Sequence, residues 1–506
     1  MSRSSRSWNW WIVLSAVVAW SSAVDAEASE VTFTRDVAPI LFKHCATCHR
    51  PGEVGPFSLL NYDDAAKRAK FIKDVTQTKR MPPWKAESGF GHFLDERRLS
   101  DQEIATIATW ADTGAKEGDP NALPAAPKFP EGWQLGQPDR VLKMVKPFQV
   151  PAGGSDVYQC FVIPIPIEKD EMVTAIEFRP GNARVVHHAI LYLESRGQAR
   201  VLDPKGDGYR SFGGPGLLPS GGLGAWVPGA MPRHLPDGLG RYLKKGSDLV
   251  LQIHYHPSGK AEEDQSSVGI YFAKQPVKQM VAGMAVRSRG LHIPPAESRF
   301  HVTASSQPLP VDANLIAIGP HMHMIGREMK VIAETPGGQT IPLIWIKDWD
   351  FNWQGSYYYA DPIRLPKGSV VKLDAYYDNS ENNPQNPSSP PKLVRWGEQT
   401  TDEMCLLGLQ LTADSLGDLR KITSMRGGLL GTALFGGIPI DEANPPKYDN
   451  VKLPAEGVPI PDRFRAVLGL YDRDRNNRLT QEEVERMPER LRNRVLEFVG
   501  ALLPDE

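Results

Sequence analysis

The chain has 506 residues, with 45 Gly, 44 Pro, four Cys and a formal net charge of −2. That length calls for roughly two to four domains, and 41% hydrophobic with 23% charged residues excludes wholesale disorder. Near-neutrality gives no footing for nucleic acid, and four cysteines cannot make a disulfide scaffold.

In chain order, Arg3 and Arg6 precede a mostly apolar run from Trp8 to Trp20, and Val24 and Ala26 offer small residues for cleavage. This is the anatomy of a secretory signal peptide over residues 1–26; an uncleaved anchor is the alternative, although the run is short for a span. The mature chain is expected to lack a membrane span and to be periplasmic or secreted. Residues 27–120 read as helical: Ser100 and Glu103 have capping-box spacing, and Ile104, Ile107, Ala108 and Ala111 follow at helical intervals. Residues 121–136 read as a linker. Short runs rich in Val, Ile, Tyr and Leu at 157–165, 189–193, 249–254 and 370–376 read as strands of two β-sandwiches, 137–275 and 276–425. Glycine-rich residues 212–229 read as a surface loop. Pro-rich residues 426–460 form a second linker, and 461–506 a helical tail around one acidic loop.

Cys45-Ala46-Thr47-Cys48-His49 is a C-x-x-C-H motif. Two thiols at this spacing attach to haem vinyl groups, and the histidine supplies one axial nitrogen to the iron. A redox dithiol would not need His49, and zinc would need a second C-x-x-C. The second axial ligand is expected some tens of residues on: Met81, in a loop stiffened by Pro82 and Pro83, or alternatively His92. The segment resembles small class I cytochrome c domains, in which a Met-Pro loop often supplies the distal ligand.

Three further histidine groups stand in the β-rich region: His187-His188, His254-Tyr255-His256 and His321-Met322-His323. In a strand, residues i and i+2 share a face, so H-x-H can place two imidazoles on one metal. Adjacent histidines diverge unless the backbone twists, for instance at a bulge. Imidazole suits copper, zinc, iron and nickel, and a thioether favours Cu(I).

Residues 139–412 resemble the copper type II, ascorbate-dependent monooxygenases, the family of peptidylglycine α-hydroxylating and dopamine β-monooxygenases. The carrying segments are V-H-H-A-I-L-Y (186–192), L-V-L-Q-I-H-Y (249–255), A-G-M-A-V (282–286) with H-I-P-P-A-E (292–297), P-H-M-H-M-I-G (320–326) and D-E-M-C (402–405). The resemblance implies two jelly-roll-like sandwiches. One copper would be held by His187, His188 and His254, and a second, oxygen-binding and catalytic, by His321, His323 and Met404. His256 falls outside the family pattern, as a neighbour or a substrate contact. Gly319 stands where the peptide-amidating enzymes carry an arginine for the substrate carboxylate. Leu406 and Gly408 stand where they carry Asn and Tyr, so a C-terminal glycine is not the implied substrate. Cys405 matches a family half-cystine whose partner position falls near Ala375.

The tail loop from Asp472 to Glu483 fits a twelve-residue EF-hand. Asp472, Asp474, Asn476, the Arg478 carbonyl and Glu483 would hold one calcium ion. Asn477 replaces the usual Gly and tolerates a left-handed backbone.

The expected fold is therefore multidomain: a small all-α cytochrome c domain, two β-sandwich copper domains and a short α-helical EF-hand-like tail. The expected function is an exported haem- and copper-containing monooxygenase. It would hydroxylate a C–H bond of a small-molecule substrate with O₂, haem c relaying electrons from a periplasmic donor. A non-enzymatic periplasmic redox or copper-handling protein is the alternative. Metal-dependent hydrolysis is a third reading, without an H-E-x-x-H helix to favour it.

Overall fold

The computed structural model describes residues 30–211, 214–217, 219–288, 290–397, 399–425, 431, 453–460, 468–487, 492 and 495–496. The expected signal peptide, most of the 426–460 linker and part of the 461–506 tail lie outside them. The described chain is β-rich, with several sheets and few helices, consistent with β-sandwich halves. Among the described residues no helix is long and apolar enough to cross a membrane.

The helices Ala38–His44, Tyr62–Ala66, Ala69–Gln77 and Asp101–Asp112 enclose a small core of Phe33, Leu41, Ile107 and Trp110. The last helix starts at the expected capping box. Glu103 N donates to Ser100 Oγ (3.2 Å), and Ser100 N donates back to the Glu103 carboxylate (2.8 Å), a cap that stabilises by about 1 kcal/mol.

Residues 84–94 leave this helical part. Trp84, Ala86 and Phe93 pack in or against the core of the second β half, and Phe93 and Trp84 both meet Tyr357. Backbone bonds fix the excursion: Glu87 N donates to Trp345 O (2.7 Å), Leu94 N to Tyr358 O (2.8 Å) and Ala360 N to His92 O (2.8 Å). Burying Phe93 is worth about 1.5–3 kcal/mol.

The first β half has two five-stranded sheets. One runs in the order Arg140–Lys143, Ser267–Phe272, Glu171–Arg179, Leu239–Leu243 and Gln279–Met280. The other runs Tyr209–Arg210, Val157–Pro164, Asp248–Tyr255, Val186–Glu194 and Gly221–Trp226. Two details differ from expectation. Gln279–Met280 pairs with Leu239 and Gly240, so this half runs past residue 275. The glycine-rich stretch supplies the edge strand Gly221–Trp226, paired with 189–193. Gly224, at φ +119°, sits where the register shifts, a conformation glycine adopts without strain.

The second half has two four-stranded sheets. Their orders are Ala282–Ser288, Cys405–Thr412, Ala313–His321, Tyr357–Leu365 and Phe300–Ser305, Val370–Tyr377, Gly326–Glu334, Thr340–Ile346. The halves meet through Leu235, Val281 and Ile316 and through a buried bond from Arg241 Nη2 to Gln410 Oε1 (3.0 Å). All four cysteines are outside disulfides; Cys160 and Cys405 are buried in separate clusters.

Candidate metal centres

The strand Val186–Glu194 lies beside Asp248–Tyr255, with His188 opposite His254. The register shifts between Val186 and His188, the twist that adjacent histidines need if both are to face one point. His187 Nδ1 and His254 Nδ1 each lie 3.4 Å from His188 Nδ1. Nitrogens about 2.0–2.1 Å from one shared metal stand about 3.3–3.6 Å apart, so the separations suit a common cation. The three offer ligand atoms all within 4.8 Å of one another.

Charge agrees with geometry. Burial and then the neighbouring His254 push His187 down to about 4, and burial holds His188 well below the ordinary imidazole range. Both rings are therefore neutral at pH 7, with lone pairs available. Facing lone pairs repel one another unless a cation or a proton lies between them. His254 Nε2 is buried and lies 2.9 Å from Asp156 Oδ2. Nε2 is thus at ion-pair distance from the carboxylate without the alignment of a hydrogen bond, and Nδ1 is the atom that faces the other two rings. Asp156 was not singled out in the sequence; it stands one residue before a strand and belongs to no motif.

The second pair uses the opposite nitrogen. His321 ends the strand Ala313–His321, and its ring centroid is 5.1 Å from that of His323. His321 Nδ1 donates to Gln354 Oε1, and His323 Nδ1 donates to the Asp402 carbonyl (3.0 Å). Burial lowers both rings, His323 to about 3, so each Nε2 carries a lone pair. His321 pairs with Leu406, and Met404 stands one residue before the strand Cys405–Thr412. The buried Glu403 carboxylate takes the backbone N–H of His323 (2.8 Å), Ile325 (3.0 Å) and Met404 (2.9 Å). It thereby fixes both strand ends that carry the expected ligands. Burial pushes Glu403 up to about 8 despite those donors.

The two groups are close. Phe351 stacks on His187, with centroids 5.3 Å apart, and meets His323 edge-on at 5.7 Å. It sits on the loop 347–356, which also carries Gln354. Trp349 Nε1 anchors that loop to the His323 carbonyl (3.0 Å). Trp353 of the same loop crosses to the first half, where a Cβ on Gly229 would come within 3.3 Å of its ring. No motif marked Phe351 or Gln354.

At the C-x-x-C-H segment, Cys45 and Cys48 flank a turn closed by His49 N donating to Cys45 O (2.9 Å). His49 Nδ1 donates to Phe57 O (3.2 Å), which leaves Nε2 as the ligand atom, and burial lowers the ring toward its neutral form. A Cβ on Gly55 would meet His49 Nδ1 at 2.9 Å, so glycine is needed for that loop to lie against the ring. These residues fit a haem attached through Cys45 and Cys48 with His49 axial. Met81 stays with the helical part, its N–H donating to Val75 O (3.0 Å), whereas His92 is exposed at the edge of the second half.

In the tail, Asp472, Asp474 and Glu483 offer oxygens within 4.8 Å of one another. Asn476 N donates to Asp472 Oδ1 (3.1 Å), and Asn477 adopts φ +59°, the left-handed turn expected there. Arg478–Leu479 pairs with Val458–Pro459, so the preceding linker segment supplies the strand that a second EF-hand loop would contribute. The oxygens fit one calcium ion.

No protein-family model matches the chain, and no curated protein matches it. Solved structures with partial likeness include the PBSX exported protein XepA, at 10% identity over 47% of this chain and 86% of that one, with a TM-score of 0.14. Another is a Paenibacillus xanthan lyase, at 9% identity over 57% of this chain and 28% of that one, with a TM-score of 0.15. Likeness at this level bears on neither fold nor function.

Proposed function

We propose that the chain is an exported monooxygenase carrying haem c and two coppers, hydroxylating a C–H bond of a small molecule with O₂. The carrying observation is the convergence of His187 Nδ1 and His254 Nδ1 on His188 Nδ1, each at 3.4 Å, with His321 and His323 across one phenylalanine. In the resemblance to the copper type II monooxygenases those are the two copper sites. Copper supplies Cu(I)/Cu(II) cycling and O₂ binding when present, and haem c supplies single electrons drawn from a periplasmic donor. The chain's own work is positional. Asp156 orients His254. Gln354 and the Asp402 carbonyl orient His321 and His323. Phe351 packs against His187 and His323, and Glu403 holds the backbone N–H of both His323 and Met404. The helical N-terminal part, read as a cytochrome c domain, would bind its haem through Cys45, Cys48 and His49 with Met81 opposite. The Asp472–Glu483 loop would hold calcium.

One observation favours a second reading, a non-enzymatic redox or copper-handling protein. Phe351 packs against both His187 and His323, and Gly319 offers no side chain to hold a substrate. Protein matured in a periplasm should show one haem c by its pyridine spectrum and two coppers by elemental analysis, with copper-dependent O₂ uptake matched by product. Two coppers without O₂ uptake would select the second reading; absence of copper would remove both.

A further inference from the structure

A single carboxylate links the two histidine groups. The Asp156 side chain is only 10% exposed, takes two hydrogen bonds and lies at ion-pair distance from a third group. His254 Nε2 lies 2.9 Å from Oδ2, Thr400 Oγ1 donates to the same Oδ2 at 2.6 Å, and His256 Nδ1 donates to Oδ1 at 2.8 Å. Burial alone would raise this carboxyl, but the bonds from His254 and Thr400 more than offset it and hold it well below the usual carboxylate range. Thr400 comes from the other half of the molecule. It lies two residues before Asp402, whose carbonyl holds His323 Nδ1, and four before Met404. Gln399 N donates to the Asp402 carboxylate (3.1 Å), which ties Thr400 into the same tight turn.

We infer that Asp156 is a positioning residue that couples the two candidate metal sites, by holding the His254 ring and the 399–404 turn on one oxygen. The inference rests on the copper reading of the trio. A metal on His254 Nδ1 makes Nε2–H more acidic and strengthens its attraction to the adjacent carboxylate, so the carboxylate and the ring orientation reinforce each other. Thr400 is not among the three candidate ligands, yet its hydroxyl limits where Oδ2 can sit. Whatever Thr400 adds to metal affinity at the trio, metal at the trio must add to the seating of Thr400. His256 is exposed and bonds the other oxygen, so it adds little to this coupling.

The test titrates Cu(II) into the full chain against a competing chelator, in a His321→Ala/His323→Ala background so that the trio alone is read. Asp156→Asn should weaken Cu(II) at the trio about 10–100-fold, the usual effect of losing an outer-shell carboxylate. Thr400→Val should weaken it about fivefold, the loss of one hydrogen bond of ordinary net strength. Thr400→Ser should restore it, which separates a lost hydroxyl from a misfolded turn, and His256→Ala should change it less than twofold. An unchanged affinity in Thr400→Val beside a weakened Asp156→Asn would overturn the coupling. Unchanged affinity in both would overturn any positioning role. If the background protein takes up no Cu(II), the copper reading itself has failed, a result distinct from either.

Discussion

The histidines of the first half converge through Nδ1, whereas those of the second half have Nδ1 tied down and present Nε2. The contrast follows from what holds each group. His187, His188 and His254 sit on two hydrogen-bonded strands, so their spacing is set by sheet register and one local shift. His321 and His323 stand where a strand ends, and their rings are aimed by Gln354 and by the Asp402 carbonyl, both on loops. A site built on register resists change of geometry. A site aimed by loops can adjust as ligands arrive, which would suit the centre proposed to bind oxygen and substrate.

The largest effect that can break this contrast comes from His188→Ala. His188 Nδ1 stands 3.4 Å from both other trio nitrogens, so its loss leaves two ligands for a cation. Metal affinity at the trio should fall by more than the roughly 10–100-fold typical of an outer-shell change. Elemental analysis should find one copper fewer, with the other site still filled. Loss of both coppers would mean that the trio and the pair are not separate sites.

Gln354→Leu comes next. It leaves the buried His321 N–H without its acceptor and the ring free to turn, so Cu(II) affinity at the pair should drop about 10–100-fold while the trio is unaffected. An unchanged pair would show that its geometry is set by the strand after all, and the contrast would collapse. Met404→Leu should act more weakly and on one oxidation state. A soft thioether favours Cu(I), so its replacement by a side chain of similar bulk should lower Cu(I) affinity more than Cu(II) affinity and lower the midpoint potential of that site. Equal loss in both states, read by paired chelator titrations, would remove Met404 from the ligand set.

The sequence made one side of this contrast much easier to see than the other. His187-His188 and His321-Met322-His323 announce themselves by spacing, and a β-rich region was legible from its Val, Ile and Tyr runs. The choice of ring nitrogen was not legible, because it is decided by partners 33 and 79 residues away in the chain, Gln354 and Asp402. Asp156 and Thr400 meet across 244 residues, and neither stands in a recognisable pattern. The strand Gly221–Trp226 was hidden for another reason. Its glycines lack the side chains on which strand signals depend, and pairing with the neighbouring strand decides the outcome. The excursion of Trp84 and Phe93 into the second half was likewise invisible, since an aromatic side chain does not say which core it will join.

Phe351→Ala has the smallest expected effect on either metal and bears most directly on why the two groups lie so close. The ring contacts His187 and His323 but bonds to neither, so Cu(II) affinity at both sites should stay within about twofold, the scale of a few tenths of a kcal/mol. Each lost ring contact is worth about 0.5–1.5 kcal/mol, so the apo protein should unfold at a lower temperature by a few degrees. The decisive readout is water. With the ring gone, solvent enters the space between the sites, and the nuclear magnetic relaxation of bulk water by bound Cu(II) should rise. Phe351→Leu keeps most of the volume without the aromatic face, so it should keep the space dry. If Phe351→Leu admits as much water as Phe351→Ala, stacking on His187 rather than volume closes the gap. If neither admits water, the halves themselves exclude it and Phe351 is ordinary packing.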